Sequence, residues 1–257
     1  MHALLIALAA GYGIAAGLLA TRPLFRLAVQ PDEPWRAACP DGHPITGPAA
    51  GWLGLARCGP CGRAAADADG GASPGAYGPN GVLVAGVCAL ACAGLAAAVG
   101  SRPELAVWLL LVPLSVVLAG VDLAVHRLPD VLTLPMALGS AALLGGAALL
   151  PGAAGSWSRA VFGGLALGAA YFVLFLINPA GMGFGDVKLA VTLGVALGWY
   201  GWDVLFLGAF TGLLLGAFYG VALVLTRRAS RKAALAFGPF MIVGAGAGVL
   251  VGGLAAG

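Results

Sequence analysis

Three carboxylates in this chain lie where charge is costly. Asp122 closes the apolar run 104–122, Asp186 follows Gly183-Phe184-Gly185 just ahead of the run 187–200, and Asp130 follows Leu128-Pro129. Acids at the edge of membrane-length apolar runs are expensive to keep, and their default reading is functional. Two apolar runs separate the loop 123–130 from the loop 178–186, and an even count puts both loops on one side of a bilayer. Asp122 and Asp186 can therefore face each other from two rigid helix ends. Two carboxylates at close range cannot both ionise cheaply, so the pair shares one proton. That suits peptide hydrolysis: the ionised member takes a proton from water, while the protonated member donates to the scissile carbonyl and later protonates the leaving amine. Gly183 and Gly185 fit the same chemistry, with backbone able to adopt unusual dihedrals and to approach an extended peptide closely. A capping role competes, because an acid in a first helical turn satisfies backbone N–H groups and the helix dipole. Pro129-Asp130 before an apolar run reads as a helix start, which assigns Asp130 to capping or positioning.

A second group has metal-ligand character. Cys58-Gly-Pro-Cys61 has the two-residue spacing of half a zinc site, and Cys39 and His43 lie upstream. A structural zinc takes four such ligands, and Cys39, His43, Cys58 and Cys61 would supply a Cys₃His set. The competing reading is an insert that has lost its metal and kept residual thiols. Cys88 and Cys92, one helical turn apart in an apolar run, read as packing residues. His126 sits in the short loop between Asp122 and Asp130, where a solvated side chain and a contact with substrate are both open.

The elements that must position these groups are membrane helices. Of the 257 residues 61% are hydrophobic and 9% charged, with a mean hydropathy of +0.99. An ordinary globular domain carries about 25% charge, so this chain cannot cover a water-facing surface. Eight apolar runs approach the roughly 20 residues that a bilayer demands: 1–20, 81–99, 104–122, 131–150, 160–177, 187–200, 203–226 and 237–256. They are apolar all round, which excludes a β-barrel. The expected fold is an all-α polytopic membrane protein of about eight transmembrane helices. Arg22 and Arg26 come after the first run rather than before it, so 1–20 reads as a retained anchor and not a signal peptide. Residues 21–80, rich in Pro and Gly, form a small polar insert, and 81–257 holds the other seven helices.

Arg22, Arg26, Arg36, Arg57, Arg63, Arg127, Lys188, Arg227, Arg228, Arg231 and Lys232 fall on one side by span counting, against Arg102 and Arg159 on the other. Eleven against two makes the first side cytoplasmic, with both termini outside and the insert in a reducing compartment. Gly208, Gly212, Gly216 and Gly220 recur every four residues, as do Gly244, Gly248 and Gly252. Such ladders predict helix-packing faces.

Asp122-Leu-Ala-Val-His-Arg-Leu-Pro-Asp130, Gly183-Phe-Gly-Asp186-Val-Lys188 and Phe237-Gly-Pro-Phe240, in this order, resemble the type IV prepilin peptidases, the GxGD class of intramembrane aspartic proteases. The likeness covers nearly the whole chain. It implies Asp122 and Asp186 as the catalytic pair, with Gly183, Gly185, Lys188, Asp130, Gly238 and Pro239 supporting the substrate site. It implies cleavage of the basic leader of prepilins or pseudopilins after a glycine, at the cytoplasmic edge of the bacterial inner membrane. Many members of the family also N-methylate the new amino terminus with S-adenosylmethionine. Fuller members carry two CxxC pairs, and Gly42 stands here where the second cysteine of the first pair would fall, which puts both zinc and methylation in question. Proteolysis itself needs no cofactor. The alternative is an ion- or proton-coupled transporter using the paired aspartates; a structural assembly factor is a third. The scattered basic residues, without interleaved aromatics, exclude nucleic acid as a partner.

Overall fold

The computed structural model describes residues 1–63, 75–179, 181–226 and 236–257. Arg227, Arg228, Arg231 and Lys232, four of the charges in the topology count, lie outside the described residues. Eight long helices run through the rest: α1 (His2–Leu27), α2 (Gly81–Val99), α3 (Glu104–Val125), α4 (Asp130–Ala148), α5 (Trp157–Ile177), α6 (Phe184–Tyr200), α7 (Trp202–Leu225) and α8 (Gly238–Ala255). Among the described residues no β-strand forms, only the isolated bridges Ala38–Pro44 and Arg57–Ala76. The chain is a multi-pass, all-helical membrane protein.

Seven of these helices are long and apolar enough to cross a membrane. The eighth, α6, has 17 residues, a rise of about 25 Å against a hydrocarbon core of about 30 Å. The run 187–200 is likewise the shortest of the eight in the sequence. A helix this short is sheltered by its neighbours: α6 touches α4, α5, α7 and α8, and Leu189, Leu197 and Trp199 on it are wholly buried.

Glycine sets the helix pairs. Gly208 and Gly212 of α7 meet the backbone of α8, where a Cβ on Gly212 would lie 3.0 Å from the Phe240 carbonyl. The ladder on α8 divides: Gly244 and Gly248 face α7, whereas Gly252 lies against the Tyr200 ring at the end of α6. A ladder not foreseen joins α5 to α6, with Gly163 and Gly164 against Gly194 and Gly198; a Cβ on Gly163 would lie 2.6 Å from the Gly194 carbonyl. Gly13 and Gly17 of α1 similarly take the backbone of α2 at Ala85, Cys88 and Ala89. Cys88 and Cys92 are wholly buried, as packing residues should be. Contacts of this kind hold helices together where apolar burial drives nothing, since lipid is as apolar as the interface.

The first helix does not stop at residue 20 but continues to Leu27. Its last turns form a post that holds the polar insert. Arg22 donates from Nε to the Leu55 carbonyl (2.8 Å) and from Nη1 to that of Thr46 (2.7 Å), while Arg26 donates to Ala50 (3.1 Å). The Thr21 hydroxyl accepts the Ala56 N–H at 3.0 Å. Arg26 also stacks 4.0 Å over Trp52, which meets Trp35 edge to face. These carbonyls lie in irregular backbone with no helix or sheet partner to take them, and α1 supplies the donors.

Candidate active site

At one end of the bundle a cleft of about 310 Å³ is lined by Asp122, His126, Arg127 and Leu128 from the end of α3 and the α3–α4 loop. The loop and first turn of α6, including Met182, Gly183, Gly185 and Asp186, form its other wall. Both acids are buried, Asp122 at 4% and Asp186 at 7% exposure. Each is pinned by one backbone N–H of a glycine. Gly238 donates to Asp122 Oδ2 at 2.9 Å, and Gly183 donates to Asp186 Oδ2 at 3.1 Å. Among the described residues neither Oδ1 has a hydrogen-bond partner, so each carboxylate keeps one oxygen for the cleft.

Three segments converge to make this arrangement. Asp122 lies in the last full turn of α3, Asp186 in the first turn of α6, and Gly238 opens α8, with Pro239 in its first turn. Proline suits that place because the missing N–H would be unpartnered in any case. The glycines have a different reason from the one expected. Gly183 has an ordinary extended backbone (φ −74°, ψ 145°) and Gly185 is helical, so neither adopts an unusual dihedral. Close approach decides at Gly185, where a Cβ would lie 2.8 Å from Leu128 Cβ, and at Gly238, where one would lie 2.9 Å from Asp122 Oδ2, whereas a Cβ on Gly183 would meet only ordinary contact, 3.6 Å from Asp186 Oδ2. Asp186 takes the cap bond from Gly183 and lines the cleft with its other edge, so the capping and site readings coexist.

Lys188 and Asp130 are not among the cleft-lining residues. They pair with each other, Nζ to Oδ1 at 2.6 Å, and Lys188 stands 5.0 Å over the Phe184 ring. Asp130 is the first residue of α4, yet its side chain caps no backbone N–H. The pair links the start of α4 to the first turns of α6.

The insert holds the second cluster. The ligand atoms of Cys39, His43, Cys58 and Cys61 all lie within 4.8 Å of one another. Cys39 Sγ is 3.6 Å from His43 Nδ1 and 3.7 Å from Cys61 Sγ, and Cys61 Sγ is 3.3 Å from His43 Nδ1. Asp41, absent from the expected set, accepts the Cys61 thiol at 3.1 Å. Burial pushes the Cys39 thiol up, but hydrogen bonds from His43 and the Asp41 backbone outweigh it and bring it down to about 7. The Cys61 thiol moves the other way, held protonated chiefly by the Asp41 carboxylate and then by Cys58.

Sequence reasoning missed one contributor, Leu128, and left His126 open between a solvated side chain and a contact with substrate. Leu128 is buried at 6% and packs beside both Gly185 and Gly238, so it wedges the three converging segments; its only signal was a leucine directly before the proline that starts α4. His126 caps α3 in the left-handed region, at φ 52° and ψ 43°, and opens onto the cleft.

Residues 109–225 match the family model described as "Type IV leader peptidase family". Among curated proteins, the chain is similar to the Prepilin leader peptidase/N-methyltransferase of Aeromonas hydrophila, 34% identical over 136 residues, which are 52% of this chain and 46% of that protein. The protein of the same name in Pseudomonas putida is 34% identical over 148 residues, 56% of this chain and 50% of the relative. That of Bacillus subtilis (strain 168) is 40% identical over 83 residues, 30% of this chain and 32% of the relative. The chain thus spans about half the length of the first two of these relatives. No solved structure matches it. The matched segment contains both cleft acids, the GxGD turn and the Lys188–Asp130 pair, so it is over the site-bearing residues 109–225 that the chain is similar to the type IV leader peptidase family.

Proposed function

We propose that this protein is a membrane-embedded aspartic endopeptidase that removes the basic leader from type IV prepilins or pseudopilins after glycine, at the cytoplasmic edge of the bacterial inner membrane. One observation carries the reading: two buried carboxylates, each fixed through Oδ2 by a glycine N–H, line the same cleft. The pair holds one proton. The ionised member accepts a proton from water as its oxygen attacks the scissile carbonyl carbon, and the other member donates to the carbonyl oxygen. Collapse of the tetrahedral intermediate re-forms the carbonyl and breaks the C–N bond as the initially protonated member passes its proton to the departing nitrogen, so the dyad again holds one proton, the one drawn from water, now on the other member. The Gly183 and Gly238 N–H groups keep the carboxylates oriented without side chains that would obstruct an extended peptide.

In this reading 1–20 is the first membrane helix, 21–80 a cytosolic cysteine-bearing insert and 81–257 the peptidase core. Both termini lie outside, as the distribution of Lys and Arg requires. One zinc ion fits the insert. Tetrahedral coordination with metal–ligand bonds of about 2.0–2.3 Å separates the ligand atoms by about 3.3–3.8 Å, close to the separations of Cys39, His43 and Cys61. Zinc would supply folding energy to a segment with little core of its own. N-methylation is the second activity in the relatives' names; S-adenosylmethionine would be its methyl donor, and no side chain here is assigned to it.

The test is leader cleavage of a prepilin-like substrate at matched membrane expression. Asp122→Asn and Asp186→Asn keep size and remove the acid, and each should lower cleavage on the order of 10³- to 10⁴-fold. The double variant should cost little more, because the two share one job. Full activity in either single variant would end the reading and favour ion binding by the acids.

A further inference from the structure

We propose that His126 is a substrate-binding residue of the cleft, donating from its imidazole to a backbone carbonyl of the peptide beside the scissile bond. The inference rests on the cleavage reading above and adds a contact to it. His126 lines the cleft together with Asp122 and Asp186, and its side chain is exposed. The ring hydrogen bonds of the described residues all belong to His43, which leaves the His126 imidazole unengaged.

Its backbone is held in a conformation that L-residues avoid. At φ 52° the residue ends α3 with its N–H bonded to the Asp122 carbonyl at 2.8 Å. Glycine is the usual occupant of such a cap and asparagine the next best, so a histidine there gives up stability. An unfavourable conformation beside a reactive centre is a reason to look for function. The loop is also fixed on both flanks: Asp122 is bonded to Gly238, Leu128 is wedged against Gly185, and Arg127 donates to the Gln30 carbonyl at 3.0 Å. The imidazole is therefore presented from a rigid frame.

The chemistry follows from what else the cleft offers. Its lining is glycine backbone, apolar side chains such as Met182 and Phe184, the two acids, and the donors His126 and Arg127. An extended peptide crossing it exposes carbonyls about every 3.3 Å. The acids act on the scissile one, and its neighbours need donors to hold the bond in reacting geometry. Imidazole carries at least one N–H in either charge state, so the contact survives across neutral pH.

The experiment compares purified full-length wild type, His126→Gly, His126→Asn and Asp186→Asn on a prepilin-like substrate, with melting temperature measured alongside. His126→Gly suits the left-handed cap, so its melting temperature should hold or rise while kcat/KM falls about tenfold, the size of one lost hydrogen bond. His126→Asn suits the same backbone and keeps a donor, and should stay within about threefold of wild type. A merely structural role predicts full activity in both. Wild-type kcat/KM in a well-folded His126→Gly, with Asp186→Asn inactive, would overturn this proposal and leave the proteolytic reading intact. Cleavage by Asp186→Asn would overturn both.

Discussion

The cleft and the cysteine cluster reach a precise arrangement of side chains by opposite routes. The cleft is made from the ends of α3, α6 and α8, whose positions are set by glycine contacts and one buried leucine. The cluster is made from irregular chain, and its frame is the set of arginine and threonine hydrogen bonds from the end of α1. A site on helix ends tolerates little change in what packs beneath it. A site on loops needs only that its ligands converge, so the one-residue departure from a paired CxxC pattern still leaves four ligand atoms together. Motif spacing is accordingly a strong guide to the first kind of site and a weak guide to the second.

The contrast predicts that the two sites fail independently. Asp186→Asn should abolish cleavage while leaving zinc content at one per chain by elemental analysis. Cys58→Ser should lose the zinc and lower the melting temperature by several degrees, yet keep most of the leader cleavage; a cleavage loss as deep as that of Asp186→Asn would show that the sites act as one. Next in size, Gly185→Ala places a methyl group against Leu128 and should reduce kcat/KM on the order of tenfold to a hundredfold, without changing zinc content. The loop-built site should be the more sensitive to pH. In zinc-free protein the folded Cys39 thiol titrates near 7, below its ordinary 9. Its ionised form thus favours the fold above 9, and that contribution is lost as the pH falls through about 7. Thiolate absorbance should follow this titration, and zinc affinity should fall over the same range as protons compete for the ligands. The smallest effect belongs to Asp130→Asn. Its side chain is 61% exposed, an ion pair of that kind contributes about 0–1 kcal/mol, and cleavage should stay within about threefold.

Much of this architecture was legible in the chain. The eight apolar runs were plain because lipid demands length, and the ladder of Gly208 and Gly212 stood out because its period matches one helical turn. The contact of Gly163 and Gly164 with Gly194 and Gly198 was harder to see, since each helix shows only part of the pattern and the other half lies some thirty positions on. Hydropathy also cannot separate a helix facing lipid from one facing other helices, so the run 187–200 showed only that it is short and not that α6 is enclosed. At the cleft, Asp122 and Asp186 were conspicuous as charge at the edge of apolar runs. His126 was not, because a loop histidine is common and a positive φ leaves no trace when the residue is not glycine. Nor did Gly238 signal that its N–H would reach an acid 116 positions earlier in the chain.

The enclosure of α6 bears on how such a molecule is made. Its first turns carry Asp186 and Lys188, each unfavourable by about 2.5–3.5 kcal/mol at the centre of an isolated inserting helix and less toward its ends, and it is short besides. Alone in lipid it would be a poor candidate to stay. Its glycine-lined seam with α5, and the single residue Gly201 that joins it to α7, let it enter as the middle of a hairpin stack, shielded as it arrives. One of the two cleft acids is thus delivered to the membrane by its neighbours, and assembly of the cleft and insertion of the chain become one event.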